Sequence, residues 1–72
     1  MEEFAFLGLR MKEGINGREF YQRYGKEIME AYGSVVKKLV KEKMIFLNNG
    51  NIQMTYKGAA LGNYVFEQFL LD

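Results

Sequence analysis

No cysteine, histidine, proline or tryptophan occurs in this chain of 72 residues. Without cysteine there is no disulfide to staple a small fold, and no thiolate to hold zinc or an iron–sulfur cluster. Without histidine the usual imidazole base is missing, as is the HExxH type of metal set. A small independent enzyme is therefore left with almost no reactive side chains. The lack of proline leaves helices uninterrupted. The net charge is only +1, so no field pulls the chain toward nucleic acid or an anionic membrane. There is neither a signal peptide nor an apolar run long enough to span a bilayer. These absences predict a cytoplasmic module with no membrane partner and no specific nucleic-acid partner.

What is present is apolar. Hydrophobic residues make up 49% of the chain, with six Phe and five Tyr, enough for one aromatic-rich core. Domains of this size bury only about 60% of their unfolded surface and are marginally stable. The opening stretch, "EFAFLGLRMKEGI", is unusual. Between Phe4 and Met11 only Gly8 and Arg10 are not apolar. At roughly 100° per residue, Phe4, Leu7, Gly8 and Met11 fall on one side of a helix, and Ala5, Phe6 and Leu9 on the other. A helix at the surface of a self-contained domain should be polar on its far side. The expectation is that Phe4, Leu7 and Met11 pack inward, while Ala5, Phe6 and Leu9 are left for a neighbour. On that reading the chain is a piece of something larger.

Further along, Gly14 suits a left-handed helix C-cap. In "INGREF", Asn16 reads as an N-cap and Glu19 completes a capping box, with Ile15 and Phe20 at the staple positions. Phe20, Tyr21 and Tyr24 form the buried stripe of that second helix, and Gly25 ends it. Ile28, Tyr32, Val35, Val36, Leu39 and Val40 recur at helical spacing in a third, longer helix. Gly33-Ser34 either kinks it or splits it, with Ser34 capping a second half. Then "MIFLNNGNIQMT" alternates. Asn49-Gly50 is the favoured type I′ hairpin turn, pairing Leu47 with Ile52 and Ile45 with Met54. Phe46 and Gln53 take the opposite face. Thr55 caps a final helix through Leu70, with Leu61, Val65 and Phe69 as its inner row. The predicted fold class is α+β and mostly helical. It is winged-helix-like, with one β-hairpin at about residues 44–55 and a C-terminal helix.

The remaining motifs weigh toward structure. Glu27 and Glu30, at i, i+3 among lysines, look like a solvated helix face. Lys37, Lys38, Lys41 and Lys43 suit phosphate contacts on a winged helix, but Glu42 interrupts them and the hairpin tip, Asn48 to Asn51, carries no cation. Gly58 and Gly62 suggest close packing. Tyr24, Tyr32 and the methionines include residue types that ligate haem iron, yet their spacing is that of a core. Phe46 is the exception, an aromatic on the wrong side of the hairpin.

Three stretches together resemble a known family. "FLGLRMKEGI", "F-x-x-R-Y-G" from Phe20 to Gly25, and "MTYKGAALGNYVFEQFL" are similar to the C-terminal domain of the HemN/HemW family. These are radical S-adenosylmethionine proteins that include oxygen-independent coproporphyrinogen III oxidases. The form "LGLR-x-x-x-GI" is nearer the HemW-like branch, regarded as haem chaperones. The resemblance implies that residues 1–72 are a single non-catalytic C-terminal accessory domain. It further implies that a [4Fe–4S] cluster and S-adenosylmethionine belong to the parent's radical SAM barrel, and that haem or porphyrin is a partner via the parent, with contact to this domain left open. No catalytic, cofactor or metal residue transfers to this chain. Ala5, Phe6, Leu9 and Phe46 are the candidate contacts with that barrel. The competing expectation is a free-standing winged-helix nucleic-acid or protein adaptor.

Overall fold

The computed structural model describes the backbone of residues 1–71 and the side chains of residues 1–70. Among the described residues the order is α1 (Glu2–Arg10), β1 (Ile15–Asn16), α2 (Gly17–Tyr24), α3 (Ile28–Lys41), β2 (Ile45–Asn48), β3 (Asn51–Met54), α4 (Tyr56–Ala60) and α5 (Gly62–Leu71). The α+β class and the winged arrangement stand. The wing, however, is a three-stranded antiparallel sheet in the order β1-β3-β2, not a lone hairpin. The added strand is the two residues Ile15 and Asn16, opposite Ile52 and Asn51. A pair of residues gives no period to read.

The hairpin has the expected register, with Ile45 opposite Met54 and Leu47 opposite Ile52. Asn49 and Gly50 both have positive φ, 53° and 83°, as a type I′ turn requires. Ile15, Ile45 and Ile52 are buried on one face of the sheet. On the other, Gln53 Nε2 donates to the Lys12 carbonyl at 2.7 Å, tying the sheet to the turn after α1. That turn depends on Gly14. Its φ is +79°, and a Cβ there would collide with the Ile52 carbonyl oxygen. Gly14 is thus not the C-cap of α1, as its position in the sequence suggested. The helix closes at an extended Met11, and Gly14 shapes the entry to β1.

α1 lies over the sheet at close range, since a Cβ at Gly8 would come within 2.9 Å of Ile15 Cα. This approach settles which apolar face turns inward, and it reverses the expectation. Ala5 and Leu9 are buried, at 0% and 3% exposure, whereas Leu7 and Met11 are 56% and 59% exposed. Phe6 is half-buried, its ring 5.5 Å from that of Phe66 in α5. Phe4 is also half-buried and turns to α2, 5.9 Å from Phe20 and 5.8 Å from Tyr24. Two faces of similar greasiness cannot be ranked by periodicity. Gly8 and Ala5, adjacent where the two faces meet, rank them, because that edge of the helix can come close to Ile15 and carries Ala5 and Leu9 inward with it.

α2 begins as read from the sequence: the Glu19 backbone N–H donates to Asn16 Oδ1 at 2.9 Å, and Ile15 and Phe20 are fully buried. Tyr21 departs from the expected stripe and is exposed. Glu30 is more than a solvated charge, because its Oε1 accepts from the Glu27 N–H at 3.0 Å and closes the start of α3. α3 remains one helix through Gly33-Ser34 but is kinked at Tyr32, where φ is −129°. Tyr32 sits in the aromatic cluster, 6.3 Å from Phe20 and 5.0 Å from Phe69. Val40 lies outside the buried row.

α3 ends in a Schellman motif: the Met44 N–H reaches the Leu39 carbonyl at 2.9 Å and the Lys43 N–H the Val40 carbonyl at 3.0 Å. Lys43 occupies the left-handed position, φ 63°, that glycine usually takes. The sequence Thr55-x-Lys57-Gly58 clamps this turn. The Thr55 hydroxyl lies 2.7 Å from the Lys43 carbonyl, and Lys57 Nζ donates to the Glu42 carbonyl at 3.3 Å. Gly58 N–H caps onto Thr55 Oγ1 at 2.9 Å, and a Cβ at Gly58 would overlap the Met44 carbonyl. Thr55 therefore starts a helix as expected, but the helix breaks at Leu61 (φ −112°, ψ 40°) and α5 follows separately. Leu61 is consequently exposed, while Val65 and Phe69 are fully buried. Tyr64 donates to Glu42 Oε1 at 2.8 Å. That bond, with partial burial and the carboxylate's charge, raises the Tyr64 phenol above the usual tyrosine pKa.

Four outcomes follow for the chain in solution. Asn16→Ala should cost about 1 kcal/mol in denaturant unfolding, from the lost N-cap acceptor. Lys43→Gly should gain about 1 kcal/mol by relieving a side chain in the left-handed region. Leu9→Asp should leave the chain unfolded by circular dichroism, because an unpaired carboxylate in the core outweighs the roughly 3–5 kcal/mol such a domain has. Leu7→Asp, on the open face, should melt within a few degrees of the parent chain.

Candidate docking surface

The four residues expected to meet a neighbour are dispersed by the fold. Ala5 and Leu9 belong to the core, Phe6 is engaged by Phe66, and Phe46 is 42% exposed on the sheet face away from the core. Arg10 also lies over the Phe66 ring, 5.3 Å from its centroid, so the flank of α1 facing α5 is closed from outside.

What the fold leaves open is the groove between α1 and α2, about 460 Å³ in volume. Its apolar lining comes from Phe4, Leu7, Met11 and Tyr24. Phe4 and Tyr24 are fixed by edge-on packing, and Arg23 lies 5.2 Å above the Phe4 ring. Sequence reasoning placed Phe4, Leu7 and Met11 on one face of α1 and assigned that face to the core; Phe4 does pack against the core's margin, whereas Leu7 and Met11 are exposed. A second open apolar area, lined by Tyr21, Met29 and Leu47, lies between α2, the start of α3 and the hairpin tip. Leu47 occupies the core face of its strand but is 54% exposed. The alternation showed its face and not how far the helices extend beneath it.

The lysines of α3 do not form a clear phosphate-binding row. Lys38 Nζ donates to the buried Gln68 of α5 at 2.8 Å, so α5 packs beside α3 and uses one of its cations. Tyr24, Tyr32 and Met44 are packing residues of the core or its margin. Among the described residues, no group of three or more His, Cys, Asp or Glu converges on a possible metal position. No described helix is long and apolar enough to cross a membrane.

The residues held in these close contacts are those that carry the family likeness. Gly8, Leu9, Gly14 and Ile15 set α1 on the sheet, Phe20 and Tyr24 build the aromatic cluster, and Thr55, Lys57 and Gly58 clamp α3 to β2. A family model for the HemN C-terminal domain matches residues 1–61. The protein named heme chaperone HemW of Lactococcus lactis subsp. lactis (strain IL1403) is 40% identical over all of this chain, which covers 19% of that relative. The heme chaperone HemW of Bacillus subtilis (strain 168) is 36% identical over 97% of the chain, covering 18% of its length. The chain thus spans about a fifth of the curated relatives it matches. No solved structure matches it significantly. Sequence motifs, their contacts and two relatives matched over 97% or more of the chain agree, and the chain belongs to the HemN C-terminal domain family, alongside relatives of the HemW kind.

Proposed function

We propose that this chain is the non-catalytic C-terminal accessory domain of a haem chaperone of the HemW kind, and that it docks on the rest of its parent through the open face of α1. The exposure of Leu7 and Met11 in the α1–α2 groove carries this reading. Two large apolar side chains beside half-buried aromatics are costly to leave in water, at about 1.5–3 kcal/mol for a fully covered side chain. The match to about a fifth of each relative supports a parent able to cover them.

The chain's own residues do not fit an iron–sulfur cluster, because it has no cysteine. Cluster, S-adenosylmethionine and radical chemistry are assigned to the parent's barrel, together with any contact to haem. The cytoplasm is the compartment that suits such a protein. In this scheme the domain's work is mechanical. Its motif residues hold α1 rigidly on the sheet, and the rigid helix presents the contact side chains. Phe46 on the back of the sheet remains a second candidate contact, while Ala5 and Leu9 act only by supporting α1 from beneath.

The test compares Leu7→Asp in the 72-residue chain and in the full-length parent. The isolated chain should keep its melting curve. The parent should show faster proteolysis between barrel and domain and an earlier melting of the domain. An unchanged parent would show that this face is not the docking surface.

A further inference from the structure

Carboxylates outnumber cations around the α1–α2 groove. Glu3, Glu13 and Glu19 surround the apolar floor formed by Leu7 and Met11. Two cations share that lining, the amino group of Met1 and the guanidinium of Arg23, and the latter lies over the Phe4 ring at 5.2 Å. Among the described residues no ion pair engages those three carboxylates. All three side chains are exposed, so a partner reaches them at no cost in folding. The chain as a whole carries a net charge of +1, which makes this acidic rim local and not a reflection of composition. The other open apolar area differs, because Tyr21, Met29 and Leu47 are flanked by Arg18 and Glu27, one charge of each sign.

We infer that the groove recognises a segment of cationic and apolar composition, with aliphatic side chains for the floor and flanking Lys or Arg for the rim. This rests on the docking role proposed above and specifies the chemistry of the segment that docks. Aliphatic contact supplies the affinity, and the carboxylates select the sign of the flanking charge. A segment with acidic flanks meets three carboxylates at close range and is rejected. Because the rim is solvent-exposed, the selection weakens as salt rises.

The experiment uses the 72-residue chain and two synthetic amphipathic peptides of equal length and leucine content, one flanked by lysines and the other by glutamates. Amide chemical-shift titration reads both the affinity and the place of binding. The lysine peptide should shift Leu7, Met11 and Arg23 and bind at least tenfold more tightly than the glutamate peptide. Glu13→Lys/Glu19→Lys should reverse that preference while leaving the rest of the spectrum dispersed as before. Equal binding of the two peptides, binding centred on Tyr21 and Leu47, or no binding would each overturn the inference. The reading of a docking domain stands or falls separately, on Leu7→Asp in the parent. Docking lost on Leu7→Asp with no charge preference in the titration would sink only the basic character of the partner.

Discussion

The contact between Gly8 and Ile15 governs how the rest of the molecule is arranged. With no side chain at Gly8 and only a methyl at Ala5, α1 settles on the first strand at a distance no larger residue permits. That approach places Leu9 in the core and sends Phe4 to the aromatic cluster and Phe6 to α5. Gly14 fixes the other end by letting the chain turn against the Ile52 carbonyl, so strand and helix are registered together. The direction in which Leu7 and Met11 point is a consequence of these fits, and the candidate docking surface is inherited from them.

Much of the fold was legible where a local rule had one solution. Asn16 before Glu19 could only be a helix start, and Asn49-Gly50 between alternating apolar residues gave the hairpin with its register. Where two solutions had equal local merit, the sequence was silent or misleading. The two faces of α1 have similar hydrophobicity, and the choice between them depends on a strand of two residues that has no signature of its own. Leu61 looked like the inner row of one long helix. The break at that residue follows from tertiary demands, with Thr55, Lys57 and Gly58 tied to the end of α3 and Val65 and Phe69 directed into the core. The candidate surface was legible as a set of residues and not as a direction.

The family likeness and the physical reading meet in an unexpected place. Motifs that identify a family are often taken as chemistry, yet here the recognisable residues hold backbone to backbone. Thr55 and Lys57 reach the carbonyls of Lys43 and Glu42, and Gly58 makes room for that of Met44. Their arrangement fixes how α4 sits against the end of α3. The inventory of these side chains therefore says much about fit.

The interruption at Leu61 bears on how such a domain tolerates change over evolutionary time. In an unbroken helix an inserted residue turns everything beyond it by about 100° and would swing Val65 and Phe69 out of the core. A break resets that angular phase. α4 can hold the turn after α3 while α5 takes the direction that puts Val65 and Phe69 in the core, and the family model's match ends at this same residue. Leu61 therefore joins two helices that each have fixed contacts of their own, α4 with the turn after α3 and α5 with the core, and gains or losses of sequence should gather at that joint.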